Sequence, residues 1–158
     1  LDGLAGGCSA ITLCGLGTEI ILRGDKNLLI YSILSFCLSG ICLGFLKFNK
    51  YPAKIFMGDT GSLSLGAIIG MICVITNSFF TTFIISGIFI FETLSVILQV
   101  TYFKITKKIF NKGKRLFLMT PIHHHFELKG INENKIVESF WIANILLIIL
   151  SIVLKKSF

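Results

Sequence analysis

The chain has 158 residues, of which 54% are hydrophobic and 15% are charged, and its formal net charge is +7. A mean hydropathy of +0.85 excludes an ordinary soluble globular protein. The basic residues fall in short loops between apolar runs, where anionic lipid headgroups and an anionic substrate explain them better than a nucleic-acid duplex does. We therefore expect a membrane protein that binds no nucleic acid.

The first two apolar runs predict two membrane helices. The second run contains the uncharged segment Leu28–Leu46, whose 19 residues, at about 1.5 Å each, are enough to cross a bilayer core of about 30 Å. Asp2, in the segment LDGLAGG, is an acid followed by glycines at the start of the first helix. It is either a helix cap or part of a site, and both interpretations stay open.

The segment KYPAKIFMGDTGSLSLG, residues 50–66, precedes the third helix. Pro52 ends the helix before it, and glycines on both sides of Asp59 allow unusual backbone angles and the close approach of a ligand. A plain N-cap is an equally good interpretation of Asp59. However, a carboxylate at a membrane surface suits Mg²⁺ that is held by few protein ligands and by substrate phosphates. Asp59 is therefore a candidate magnesium ligand.

Ser62–Phe103 is an apolar run of 42 residues with Glu92 as its only charge, and it is too long for one membrane helix. A polar triplet near its middle predicts two antiparallel helices with a turn near Asn77. An acid inside a membrane is costly, so Glu92 should face the interior of the bundle and have a partner. Gln99 lies seven residues further on, on the same face of the helix.

Three consecutive histidines, His123, His124 and His125, lie in the segment TPIHHHFELKG before the last apolar run. A structural metal site is a weak interpretation, because adjacent side chains point in different directions and no cysteine accompanies them. A solvated loop is a second interpretation, although apolar residues surround the triplet. Ionisable groups at membrane level usually mark a pathway or a reaction site. A functional site linked to phosphate or metal fits best.

The pattern as a whole predicts an all-α, polytopic transmembrane bundle of about five helices in a single domain, residues 1–158. Eleven of the 15 basic residues lie in the two loops on one side of the membrane. The positive-inside rule then places those loops in the cytoplasm and the C-terminus outside. Asp2, Asp59 and the histidines should therefore meet in one cytoplasmic cleft. The predicted helices are 4–22, 28–46, 62–78, 80–108 and 136–155.

The chain closely resembles the phospho-N-acetylmuramoyl-pentapeptide transferases in LDGLAGG, NKYPAKIFMGDTGSLSLG, ETLSVILQV and TPIHHHFELKG, the last followed by a helix that contains SFW. These enzymes belong to the polyprenyl-phosphate N-acetylhexosamine-1-phosphate transferase superfamily, and the histidine motif separates them from its other members. The similarity spans essentially the whole chain. The family has ten transmembrane helices, and this chain resembles helices six to ten, the C-terminal half, as if cut from something longer.

The resemblance implies a reaction of peptidoglycan synthesis at the inner (plasma) membrane. UDP-N-acetylmuramoyl-pentapeptide and undecaprenyl phosphate would react, with Mg²⁺ as the cofactor, to give lipid I and UMP. The chain would lie among membrane lipids, and the resemblance leaves a homodimer open. By analogy, Asp59 is the magnesium ligand and a catalytic residue, together with His123, His124 and His125. The resemblance further implies that the substrate is bound by Leu1, Asp2, Asn49, Phe56, which would stack on uracil, and Gln99.

Two departures and three alternatives accompany this resemblance. The family's paired aspartates on an earlier helix are absent, as is the aspartate three residues before Asp2, so we expect this chain alone to be inactive. The alternatives are a related transferase that uses UDP-N-acetylglucosamine, a non-catalytic remnant or scaffold, and a transporter. The FELKG tail counts against the first, and the gathering of polar motifs at one face rather than at the midplane counts against the last.

Overall fold

The computed structural model describes residues 1–157, and all regular structure in this part of the chain is helical. Five helices in this part of the chain are long and apolar enough to cross a membrane, and they span Leu4–Arg23, Lys26–Asn49, Gly58–Ile75, Gly87–Phe110 and Glu133–Lys155. The predicted all-α, multi-pass membrane bundle is therefore confirmed. The helices are α1 (Leu4–Arg23), a 3-10 helix (Lys26–Leu28), α2 (Leu29–Asn49), α3 (Gly58–Ile75), α4 (Phe79–Ile85), α5 (Gly87–Phe110), α6 (Ile122–Leu128) and α7 (Glu133–Ser157).

The helices end where the sequence offers residues that accept a left-handed backbone. Gly24 follows α1 with φ 72°, and its N–H donates to the Ile21 carbonyl, which closes the last turn. Asn77 follows α3 with φ 51°, a value that asparagine tolerates better than most residues do. The turn predicted near Asn77 is thus confirmed.

Contacts between helix termini define the two ends of the bundle. The Gly3 N–H donates to Asn49 Oδ1, so the start of α1 lies against the end of α2. Lys155 Nζ donates to Glu19 at the other end, so α1 and α7 run in the same direction. We call residues 1–3, 47–59 and 104–135 the histidine end, and residues 19–28, 76–78 and 155 the Glu19 end.

Helix α1 is the centre of the fold. In the apolar 18-residue stretch of each spanning helix, the buried fraction of residues is 67% for α1 but only 11% for α3 and for α5. Leu13, Leu16 and Ile20 of α1 are fully buried against α2, α3 and α4. A Cβ on Gly7 would lie 2.1 Å from Trp141 Nε1, so this glycine is what allows α7 to approach α1 so closely.

Two predicted elements differ from the structure. A continuous helix over residues 80–108 is wrong, because the chain leaves helical geometry at Ser86, with φ −83° and ψ 9°, and divides into α4 and α5. Gly87 follows the break, and a Cβ there would lie 2.8 Å from Leu147 Cδ1, so α7 packs closely against this point. The histidine triplet, interpreted as part of a loop, lies on the short helix α6.

Candidate active site

The first histidine of α6 pairs with the acid inside α5. His123 Nδ1 lies 3.0 Å from Glu92 Oε2, and the two side chains are only 14% and 17% exposed. A carboxylate oxygen accepts hydrogen bonds, so the His123 Nδ1–H donates and Nε2 is left as the acceptor of the neutral ring. Glu92 Oε1 is buried with no hydrogen-bond partner in the described part of the chain. The prediction that Glu92 faces inward and has a partner is confirmed.

The other two histidines are held through the same ring nitrogen. His124 Nδ1 lies 2.5 Å from Glu127 Oε2, three residues further along α6. His125 Nδ1 accepts the Leu118 N–H at 3.1 Å, which fixes a neutral ring with its proton on Nε2. All three rings are therefore anchored by Nδ1, and Nε2 of each has no bond to any residue from 1 to 157. The triplet presents three fixed imidazole edges.

Asp59 lies in the first turn of α3, at the histidine end. Its side chain is exposed, and its carboxylate makes no hydrogen bond or ion pair with residues 1–155, although its main-chain oxygen accepts the Ser62 hydroxyl. The N-cap position of α3 is Met57, without a side-chain cap bond, so the simple cap interpretation of Asp59 is wrong. No three His, Cys, Asp or Glu side chains in the described residues are grouped to hold a metal. Asp59 thus offers one unbonded carboxylate, which suits Mg²⁺ whose other ligands are phosphate oxygens and water.

Two of the predicted substrate residues hold the loop that carries Phe56. Asp2 Oδ2 accepts the Ala53 N–H at 2.9 Å, and Asn49 Nδ2 donates to the Ile55 carbonyl at 2.9 Å. These bonds fix the main chain at two points of the loop, both just before Phe56. The Phe56 side chain itself is 77% exposed, so its ring face is open to a planar ligand such as a nucleobase.

The first residues of the chain tie α1 to α7. The Asp2 N–H donates to Glu133 Oε1 at 2.9 Å. Leu1 packs against a buried apolar cluster that consists of Cys8, Ile88, Ile122, Ile136 and Phe140. The N-cap of α1 is Gly3 in the left-handed conformation, and no side chain caps this helix. The cap interpretation of Asp2 is therefore wrong as well, because its carboxylate bonds to the loop instead.

Gln99 fixes the segment that leads to α6. Its Oε1 accepts the N–H groups of Leu116 and Phe117 at 2.9 Å each, and its Nε2 donates to the Phe117 carbonyl at 3.0 Å. Three bonds from one amide leave a single N–H for anything else. The predicted contact between Gln99 and a substrate stays a prediction, alongside this structural role.

Comparison with known proteins gives the same family that the motifs indicate. Over 155 residues, 98% of the chain, it is 72% identical to the phospho-N-acetylmuramoyl-pentapeptide-transferase of Prochlorococcus marinus subsp. pastoris (strain CCMP1986 / NIES-2087 / MED4). It is 70% identical over the same length to the protein of that name from Prochlorococcus marinus (strain MIT 9301). Over nearly its whole length, the chain is closely similar to part of the phospho-N-acetylmuramoyl-pentapeptide-transferases. Residues 1–77 also match the family model of glycosyl transferase family 4.

The similarity extends over 98% of this chain but over less than half of each relative. The chain spans about 43% of the length of these transferases. Their shared name favours the pentapeptide transferase over the UDP-N-acetylglucosamine alternative. What the whole transferases do is a proposal for this chain.

Two acidic partners in the site were missed by sequence reasoning. Glu127 could have been found, because it follows His124 by three residues in a segment that can form a helix. Glu133 had no local signal, because it meets Asp2 across 131 residues of sequence. The structure brings Asp2, Asp59 and the histidines to the same end of the bundle, as predicted, but no bond joins Asp59 to the others among residues 1–157.

Proposed function

We propose that this chain forms part of an enzyme that transfers phospho-N-acetylmuramoyl-pentapeptide from its UDP carrier to undecaprenyl phosphate, giving lipid I and UMP. The names of its relatives support the reaction. The observation that carries the proposal is the set of three imidazoles fixed through Nδ1, with Nε2 free, at the end of the bundle that also presents Asp59 and Phe56. Lipid I feeds peptidoglycan synthesis, and through it cell shape and division.

The residues of the histidine end suit a phosphoryl transfer that depends on positioning. The acceptor is already a phosphate anion, so the reaction needs charge neutralisation and alignment more than a strong base. His125, with its proton on Nε2, donates a hydrogen bond to a phosphate oxygen. His123, held by Glu92, is oriented before the substrate arrives, and Phe56 stacks on the uracil ring.

Asp59 is the residue that would hold Mg²⁺. Bound there, the ion supplies neutralisation of the diphosphate charge and of the charge that develops on the leaving UMP. The described acids that lie near the histidines and the start of α1 are engaged in hydrogen bonds, namely Asp2, Glu92, Glu127 and Glu133. A diphosphate complex of Mg²⁺ needs several oxygen ligands, so we expect the 158-residue chain alone to be inactive.

We also propose that the histidine end faces the cytoplasm from the inner membrane. Eleven of the 15 basic residues lie at this end, in the helix ends and loops from Lys47 to Lys54 and from Lys104 to Lys135. Cytoplasmic loops carry such an excess, and the UDP-linked substrate would arrive from that side. A homodimer stays a prediction.

The test is a lipid I assay on a chimaera in which this chain replaces the matching segment of the 72%-identical relative. With radiolabelled UDP-N-acetylmuramoyl-pentapeptide, undecaprenyl phosphate and Mg²⁺, the chimaera should form lipid I, and the 158-residue chain should not. UDP-N-acetylglucosamine should not be used. A folded chimaera without turnover, or one that prefers UDP-N-acetylglucosamine, would refute the proposal, and robust turnover by the chain alone would show that the catalytic groups are misplaced.

The pairing of His123 with Glu92 can be tested in the same chimaera. His123→Ala should lower kcat roughly a hundredfold or more, since misplacement of the substrate by about 1 Å can cost that factor. Glu92→Gln should lower kcat roughly tenfold, the usual effect of a residue that orients another. Glu138→Gln removes an exposed acid of α7 and should leave kcat unchanged. Equal activity of Glu92→Gln and Glu138→Gln would show that the pair only stabilises the fold.

A further inference from the structure

A cavity of about 710 Å³ lies between the last turns of α5 and the segment 115–120. One part of its wall is apolar and another is cationic. We propose that this cavity binds an anionic glycerophospholipid of the surrounding membrane, with the phosphate at the cations and the first acyl carbons on the apolar wall. The residues that carry the argument are Val100, Phe103 and Leu118 on the apolar side and Lys104, Lys107 and Arg115 on the cationic side.

The helical wall has the order of groups that a lipid requires. Val100, Phe103, Lys104 and Lys107 are spaced i, i+3, i+4 and i+7, so they lie on one face of α5. The apolar pair lies nearer the centre of the spanning helix, and the lysines lie nearer its end. A lipid whose tail points into the membrane meets its apolar neighbours first and the cations at headgroup level.

The three cations have no counter-charge within the protein. Lys104, Lys107 and Arg115 form no ion pair with any residue between 1 and 157, and none of the residues that line the cavity is acidic. At the Glu19 end, by contrast, Arg23 and Lys155 both reach the same carboxylate. Three unpaired cations around one cavity favour a ligand that carries negative charge.

The cavity wall is held in place by the rest of the fold. Gln99 accepts the N–H groups of Leu116 and Phe117, and the buried Thr106 hydroxyl accepts the Lys114 N–H at 2.9 Å. The segment that carries Arg115 is therefore tied to α5 on both sides of that residue. The cations are placed in advance, which lowers the entropic cost of binding.

The apolar half of the cavity favours a phospholipid over a free anion as its ligand. Inorganic phosphate could neutralise Lys104, Lys107 and Arg115, but it would leave Phe103 and Leu118, which are 38% and 52% exposed, facing water. A phospholipid satisfies both halves at once. The proposal does not depend on the transferase reaction, because two cavity residues act on the site described above only indirectly. Gln99 holds the loop, and the Leu118 main-chain N–H fixes the His125 ring. The three cations take no part in it.

Native mass spectrometry of the 158-residue chain in detergent tests the proposal directly. The chain is titrated with phosphatidylglycerol and with phosphatidylcholine of the same acyl chains, and the bound fraction of each is measured. Phosphatidylglycerol should bind more tightly. The triple variant Lys104→Gln, Lys107→Gln, Arg115→Gln should weaken that binding roughly a hundredfold, from the usual contribution of three basic residues at a membrane surface.

A matched variant removes the same charge from the same end of the protein. Lys47→Gln, Lys108→Gln, Lys112→Gln changes three exposed lysines outside the cavity and should weaken binding no more than about threefold, because such charges are screened. Lys104→Arg, Lys107→Arg should retain binding, and far-UV circular dichroism reports whether each variant is folded.

Three results would overturn the proposal. Equal losses in the two triple variants would show a diffuse charge effect and no site. Displacement of phosphatidylglycerol by millimolar inorganic phosphate would show a site for free anions. Displacement by an equimolar amount of undecaprenyl phosphate would assign the cavity to a substrate of the proposed transferase.

Discussion

The two ends of the bundle use charge in opposite ways. At the Glu19 end, a carboxylate that is only 2% exposed accepts from Arg23 Nε at 2.6 Å, from Lys155 Nζ at 2.5 Å and from the Ser78 hydroxyl at 3.2 Å. Arg23 also donates to the Thr76 carbonyl. The network joins α1, the turn after α3 and the end of α7. Its charges are satisfied inside the protein, so its role is to hold helices together.

At the histidine end, the groups of greatest chemical interest are left unsatisfied. The carboxylate of Asp59, the Nε2 atoms of the three histidines and the cations around the cavity form no side-chain hydrogen bond or ion pair with residues 1–155. Other polar side chains at this end hold the loops through hydrogen bonds. Asn49, for example, accepts the Gly3 N–H and donates to the Ile55 carbonyl. The difference teaches that hydrogen-bond satisfaction separates residues that build the fold from residues that await a ligand.

The largest effect on stability is expected from breaking the Glu19 network. Glu19→Ala removes the acceptor of two cations and should lower the free energy of unfolding by about 3 kcal/mol, as the loss of one partner of a buried ion pair does. The measurement is thermal unfolding in detergent, followed by circular dichroism. Asp25→Ala removes an exposed acid at the same end whose side chain accepts the Asn27 N–H, and should cost about 1 kcal/mol or less. Equal effects would contradict the account.

A smaller effect is expected at the histidine end from Asn49→Ala. This change removes the acceptor of the buried Gly3 N–H and the donor to the Ile55 carbonyl, and should cost about 2–3 kcal/mol. Asn27→Ala, at an exposed position, should change stability by less than about 0.5 kcal/mol. If Asn49→Ala left unfolding unchanged and weakened substrate binding in the chimaera, Asn49 would be a substrate ligand and not a structural bracket.

The smallest effect on stability is expected for Phe56→Ala. The side chain is 77% exposed, so unfolding should not change. Binding of UDP-N-acetylmuramoyl-pentapeptide to the chimaera, measured by titration calorimetry, should weaken by roughly 1–3 kcal/mol, the contribution of one stacked base. Phe80, which is 63% exposed near the Glu19 end, is the matched control, and Phe80→Ala should change neither quantity. A loss of stability without a loss of binding would refute the stacking role.

The sequence predicted most of the fold because membrane helices can be recognised from their composition. Long uncharged runs predicted the five spanning helices, and the polar triplet around Asn77 predicted the turn after α3. The break at Ser86 was missed although the Ser86–Gly87 pair is a local signal for a kink. The close packing of α7 against Gly87 is a tertiary contact that no local pattern contains.

The sequence named candidate site residues but not the hydrogen bonds that they form. Cost of burial predicted that Glu92 needs a partner, yet nothing in the sequence shows that the partner is His123, 31 residues away. Gln99 and Asn49 were assigned to the substrate because of the resemblance to the transferase family. The structure uses both amides to hold main-chain segments, a distinction that only hydrogen-bond geometry reveals.

The central claim is that unsatisfied charge at the histidine end serves a ligand and not the fold, and Asp59→Asn in the chimaera tests it most directly. Two quantities are measured on the same preparation: the unfolding midpoint without substrate and the rate of lipid I formation with Mg²⁺. The account predicts a change in stability below about 0.5 kcal/mol and a loss of rate of at least about a hundredfold. Retained turnover, or a loss of stability comparable to that of Glu19→Ala, would contradict it.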